Sequence, residues 1–121
     1  MALSTADATR IVNLTFHYGG ATFTRHGDLL VSGYVVGGLA SPLLIPHKRF
    51  SPETLVESVD RLAGYHTLGT WEPRDDYGLP GDVVWLEPVD IFTSRDEAET
   101  MGRHRGELAI FDLLNGEEIA L

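Results

Sequence analysis

The chain has 121 residues and is 43% apolar, enough for one domain with a real core, and it has no cysteine. Disulfides, thiolate metal sites and a cysteine nucleophile are therefore excluded, and no apolar run approaches the roughly 18 residues of a membrane span. Nearly all of the net charge of −9 sits in residues 61–121, where thirteen acids face five bases; such a surface repels phosphate backbones, so no direct nucleic-acid partner is expected.

Residues 1–9 are small and polar and read as a frayed end. They lack the basic and apolar regions of a signal peptide, so a cytoplasmic location is expected. Val12, Leu14, Phe16 and Tyr18 alternate with Asn13, Thr15 and His17, which predicts a half-buried first strand. Gly19-Gly20 would then turn a hairpin that sets Phe16 against Phe23 and Thr15 against Thr24. His26-Gly27-Asp28 predicts a second turn. Leu29 to Val36 predicts a central strand broken by Gly37-Gly38, and Pro42 to Pro46 an edge strand.

The helix at 51–63 carries the clearest signals. Ser51 is its cap, Pro52 its first residue, Glu53 its dipole acid, and Phe50 with Leu55 its hydrophobic staple. Leu55, Val56, Val59, Leu62 and Ala63 form its apolar stripe, and Gly64 ends it. Thr67 to Glu72 and Asp82 to Leu86 predict two strands around the loop 73–81, with one tryptophan each, Trp71 and Trp85. Pro88 interrupts the second of them, which would resume at 89–92 after a bulge.

Ser94-Arg95-Asp96-Glu97 is a capping box for a helix at 95–105, which Gly106 ends. The apolar strand 107–114 and its return at 117–121 would pair across Asn115-Gly116 in a two-residue type I′ turn. The expected fold is an α+β domain spanning 1–121: an antiparallel or mixed sheet of about six to eight strands, with two helices on one face.

Chemistry-bearing motifs are sparse. His17, His26, His47, His66 and His104 show no zinc-type spacing, so no metal site is expected. Asp75-Asp76-Tyr77-Gly78 lacks the alternating carboxylates of a calcium loop. Nucleophile elbows, Walker loops and dinucleotide fingerprints are absent, so neither a cofactor nor an enzymatic activity is expected. Two binding readings remain. Trp71, Asp75, Asp76, Tyr77, Asp82 and Trp85 combine aromatic anchors with acids, a combination suited to a basic protein partner; solubility and core packing explain the same residues without one. The alternative is an anionic ligand, a nucleotide or phosphate, held by His47, Lys48 and Arg49 before a helix N-terminus. An exposed strand edge also offers a route to homo-oligomers.

One set of residues has a familiar pattern: Phe50-Ser51-Pro52-Glu53-Thr54-Leu55, Gly69-Thr70-Trp71, Ser94-Arg95-Asp96-Glu97-Ala98, Gly102-Arg103, Ala109-Ile110-Phe111-Asp112-Leu113 and Glu118-Ile119. Over roughly residues 50–121 it resembles small accessory proteins of actinobacterial phages, prophages and plasmids. The bias to arginine, eight against a single lysine, fits a GC-rich source. The resemblance implies a mobile-element context, in which small acidic proteins often inhibit host proteins. It brings no catalytic residue with it.

Overall fold

The computed structural model describes residues 3–73 and 81–121. Helix α1 (Thr5–Tyr18) leads into strand β1 (Gly20–Thr24). Strands β2 (Tyr34–Val36) and β3 (Leu43–Pro46) follow, then a 3-10 turn at His47–Arg49 and helix α2 (Pro52–Arg61). Strands β4 (Thr67–Trp71), β5 (Val83–Pro88) and β6 (Asp90–Phe92) come next. Helix α3 (Arg95–His104) and strands β7 (Ala109–Asp112) and β8 (Glu117–Ala120) complete the order. The expected α+β class holds; among the described residues there are three helices and eight strands, the strands form two antiparallel four-stranded sheets rather than one, and α2 and α3 pack on different sheets rather than together on one face.

The first sheet has the order β1-β4-β5-β3, and α1 and α2 pack together on one of its faces. Ile11 and Val12 from α1, Leu55 and Val59 from α2, and Phe23, Leu68, Val84 and Leu86 from the strands share its apolar core. Period-two alternation sends Val84, Leu86 and Pro88 into that core and turns Val83, Trp85 and Glu87 to the opposite face. The second sheet has the order β6-β2-β7-β8 and holds α3 against Val36 and Ile110. The chain passes between sheets at Val89, whose N–H donates to the Thr67 carbonyl at 3.1 Å before β6 begins.

The largest correction concerns the N-terminus. Residues 5–18 form a helix, not a frayed end followed by a strand. The Ser4 hydroxyl accepts the Asp7 N–H at 3.1 Å and so caps it. Ala8, Ile11, Val12 and Thr15 are its buried face, spaced at three and four residues. Phe16 and Tyr18, the expected inward residues, are 42% and 74% exposed. Gly19 ends the helix with φ +87°, a left-handed conformation that costs glycine little, and Gly20 already belongs to β1. There is accordingly no Phe16–Phe23 or Thr15–Thr24 pair; β1 pairs with β4 instead.

The strand expected at 29–36 is only Tyr34–Val36, because the chain bends at Ser32 and Gly33 and Leu29 makes only an isolated bridge to Phe23. Residues 89–92 do not resume β5 after a bulge, since β6 pairs with β2 in the other sheet. The last hairpin forms, but its final pair is Asp112 with Glu117. Residues 113–116 therefore make a four-residue loop in place of the two-residue turn. Asp112 holds this loop by accepting the Asn115 N–H at 3.3 Å and its side-chain amide at 2.8 Å.

The helix caps form as expected, although α2 ends at Arg61 rather than at 63 and Ala63 lies exposed beyond it. Ser51 caps α2, Pro52 opens it, and Phe50 and Leu55 are buried in one core. Ser94 caps α3 through the Glu97 N–H at 3.3 Å. Glu99 bridges Arg95 at 2.9 Å and Arg103 at 3.2 Å. β3 lies at a sheet edge, as its prolines predict.

Candidate functional site

β4 and β5 are antiparallel neighbours, and their register sets Trp71 directly across from Trp85. The indole rings meet edge to face, centroids 5.5 Å apart at 84°, a geometry that adds about 1 kcal/mol beyond area burial. Both rings lie on the face opposite α1 and α2, and both are half-buried, so they are neither core residues nor free surface residues. The Trp71 indole N–H donates to Glu118 Oε1 on β8 at 3.1 Å, which ties the first sheet to the second. Leu44 on β3 sits beside Trp85 and is 51% exposed, extending the apolar surface to the sheet edge. The Trp85 indole N–H is buried without a hydrogen-bond acceptor among the described residues.

Asp82 is exposed at the start of β5, with φ 58°, and its carbonyl accepts the His47 N–H at 2.7 Å. Asp75, Asp76 and Tyr77 lie outside the described residues. Four members of the two expected sets therefore share one end of the first sheet: Trp71, Trp85 and Asp82 from the aromatic and acidic set, and His47 from the basic one.

That neighbourhood works against an anion at His47, Lys48 and Arg49. The His47 ring packs on Phe16, centroids 4.7 Å apart, and its Nε2 is 3.5 Å from Glu72 Oε1. Ser51 already accepts the Thr54 N–H at the α2 terminus. Lys48 and Arg49 are exposed and make no ion pair among the described residues. Among those residues, no group of three or more His, Asp or Glu side chains could hold a metal ion. An open depression beside Arg10, Asn13, His17 and Tyr18 is lined by α1 alone, so it cannot enclose a ligand.

A second cluster has no counterpart in the sequence reading. Glu87, two residues beyond Trp85 on the same face of β5, accepts the Gly38 N–H at 3.1 Å. Glu107, after α3, reaches the same glycines, and a Cβ on Gly37 would collide with Glu87 Oε1 and lie 2.6 Å from Glu107 Oε1. Arg105 donates to the Gly37 carbonyl at 3.0 Å and pairs with Asp90 at 2.6 Å. Burial first, and the Glu107 charge second, push the Glu87 carboxyl up to about 7; the Gly38 hydrogen bond opposes them. Burial also raises Glu107, against the pull of Arg105. The strand alternation could have shown that Glu87 shares a face with Trp85, but nothing local linked it to Glu107. The same holds for His26 and His66, whose rings come to 6.2 Å across the turn at one end of β1 and β4.

No family model, no curated protein and no solved structure matches this chain.

Proposed function

We propose that the protein binds a basic surface on another protein, with Trp71 and Trp85 as apolar anchors and Asp75, Asp76, Tyr77 and Asp82 as the surrounding polar contacts. The observation that carries this reading is the cross-strand tryptophan pair on the face opposite the helices, continued by exposed Leu44. Tryptophan and tyrosine are the side chains most often found at the energetic centre of an interface, ringed by polar groups. The acidic excess of residues 61–121 steers a basic partner toward this half of the chain. In the mobile-element context that the sequence pattern implies, the partner is a host factor and the outcome of binding is its inhibition. The reading requires neither a cofactor nor catalysis.

Affinity capture from host lysate at low and high salt tests this. Capture should weaken as salt rises, since screening removes the steering charge. It should weaken further in Asp75→Asn/Asp76→Asn and be lost in Trp85→Ala. Specific captures that survive high salt and ignore both variants contradict the proposal.

A further inference from the structure

Two carboxylates from opposite sheets converge on one point. Glu87 belongs to β5 in the first sheet, whereas Glu107 belongs to the connection from α3 to β7 in the second. Between them runs the Gly37-Gly38 segment that leaves β2. Glu87 Oε1 and Glu107 Oε1 both crowd the place where a Gly37 Cβ would stand, so only glycine lets them approach. The Gly38 N–H donates to Glu87 and ties β5 to the end of β2. Across β4 the residue opposite Glu87 is Gly69, which offers no charge.

The other charged groups on this spot are Arg105 and Asp90. Arg105 is occupied by Asp90 at 2.6 Å and by the Gly37 carbonyl at 3.0 Å. Its charge acts on Glu107 rather than Glu87. Two adjacent, partly desolvated carboxylates with one compensated cation favour holding a proton between them over ionising together.

We propose that Glu87 and Glu107 form a proton-sharing latch between the two sheets, closed while one of the pair carries a proton and loosened when both are ionised. In the closed state one carboxyl O–H donates to the other carboxylate, and the Gly38 N–H donates to Glu87. When the shared proton is lost to solvent, like charges face each other across the interface, and the Gly37-Gly38 segment with the α3–β7 connection separates from β5. Trp85 lies two positions from Glu87 on the same face of β5, and Trp71 is bonded to Glu118 in the second sheet, so their emission should follow a separation of the sheets.

Gly38 amide exchange, corrected for its intrinsic pH dependence, tests the latch alongside tryptophan emission from mildly acidic to mildly alkaline pH. In the natural chain, Gly38 protection and the emission should change together with a midpoint near 7, where Glu87 titrates. Glu87→Gln keeps the acceptor for Gly38 but cannot ionise, so protection should persist through the alkaline range. Glu107→Gln should lower the midpoint, because the repelling charge is gone. Protection that is independent of pH in the natural chain would overturn the latch, as would an unchanged transition in Glu87→Gln or an unmoved midpoint in Glu107→Gln.

Discussion

Thr15 and Thr70 join α1 to β4 through a buried hydroxyl pair at 2.6 Å. Thr15 also donates to the Ile11 carbonyl at 2.8 Å in the arrangement where Thr70 donates to Thr15, and Thr70 accepts the Ala21 N–H at 3.0 Å. Replacing Thr70 with valine keeps the shape but removes both the buried bond to Thr15 and the side-chain acceptor of the Ala21 N–H, while Thr15 keeps only its bond to the Ile11 carbonyl. Thr70→Val should therefore cost about 1–2 kcal/mol, read as a lower urea midpoint with an unchanged m-value. Gly37→Ala should cost more, about 1–3 kcal/mol, since its Cβ meets the Glu87 and Glu107 carboxylates. If Gly37→Ala melts like the natural chain, the crowding of those carboxylates is not as described. At this scale the sequence was legible wherever a partner is local. Ser51, Pro52 and Ser94 do what their positions suggested. The meeting of Trp71 with Glu118, or of Glu87 with Glu107, joins residues far apart in the chain, and no local pattern encodes it.

Among the elements, α1 shows how a single pattern serves two periods. Val12, Leu14, Phe16 and Tyr18 satisfy a strand, while Ala8, Ile11, Val12 and Thr15 satisfy a helix. The discriminating signal was Ser4-Thr5-Ala6-Asp7, a serine followed three residues later by an acid, which marks a helix start. Ser4→Ala should lower stability by about 1 kcal/mol, measured by urea unfolding followed through helical circular dichroism. No change would mean that the cap at Asp7 is not formed in solution. Elements with caps at the start and glycine at the end, α2 and α3, were legible almost to the residue. The division into two sheets was not, because Val83–Pro88 and Asp90–Phe92 are contiguous in sequence and only their different partners separate them. At the α2 terminus, inorganic phosphate should leave the melting temperature unchanged, since Ser51 already closes the cap and Glu72 stands beside His47. A rise in melting temperature that disappears in Lys48→Ala/Arg49→Ala would instead place an anion there.

The whole molecule combines two sheets, joined by Trp71–Glu118 and by Glu87–Gly38, with a charge concentrated in its second half. The joint makes stability depend on pH. Glu87 titrates near 7 in the folded chain against 4.5 ordinarily, so between those values the folded state holds more protons than the unfolded one. The Glu87 contribution is therefore most favourable below 4.5 and declines as pH rises to about 7. The loss is on the order of 3 kcal/mol. Urea unfolding should show Glu87→Gln gaining on the natural chain as pH rises through that window; parallel pH curves for the two would contradict the assignment. The claim that organises the molecule, however, is that the tryptophan face is where a partner binds. Amide exchange of the protein alone and with its captured partner tests that claim most directly. Partner binding should slow exchange in β3, at 71–73 and at 82–85, and leave α1 and the 47–49 turn unchanged. Protection confined to α1 or to 47–49, with the β4–β5 region exchanging as it does in the free protein, would contradict it.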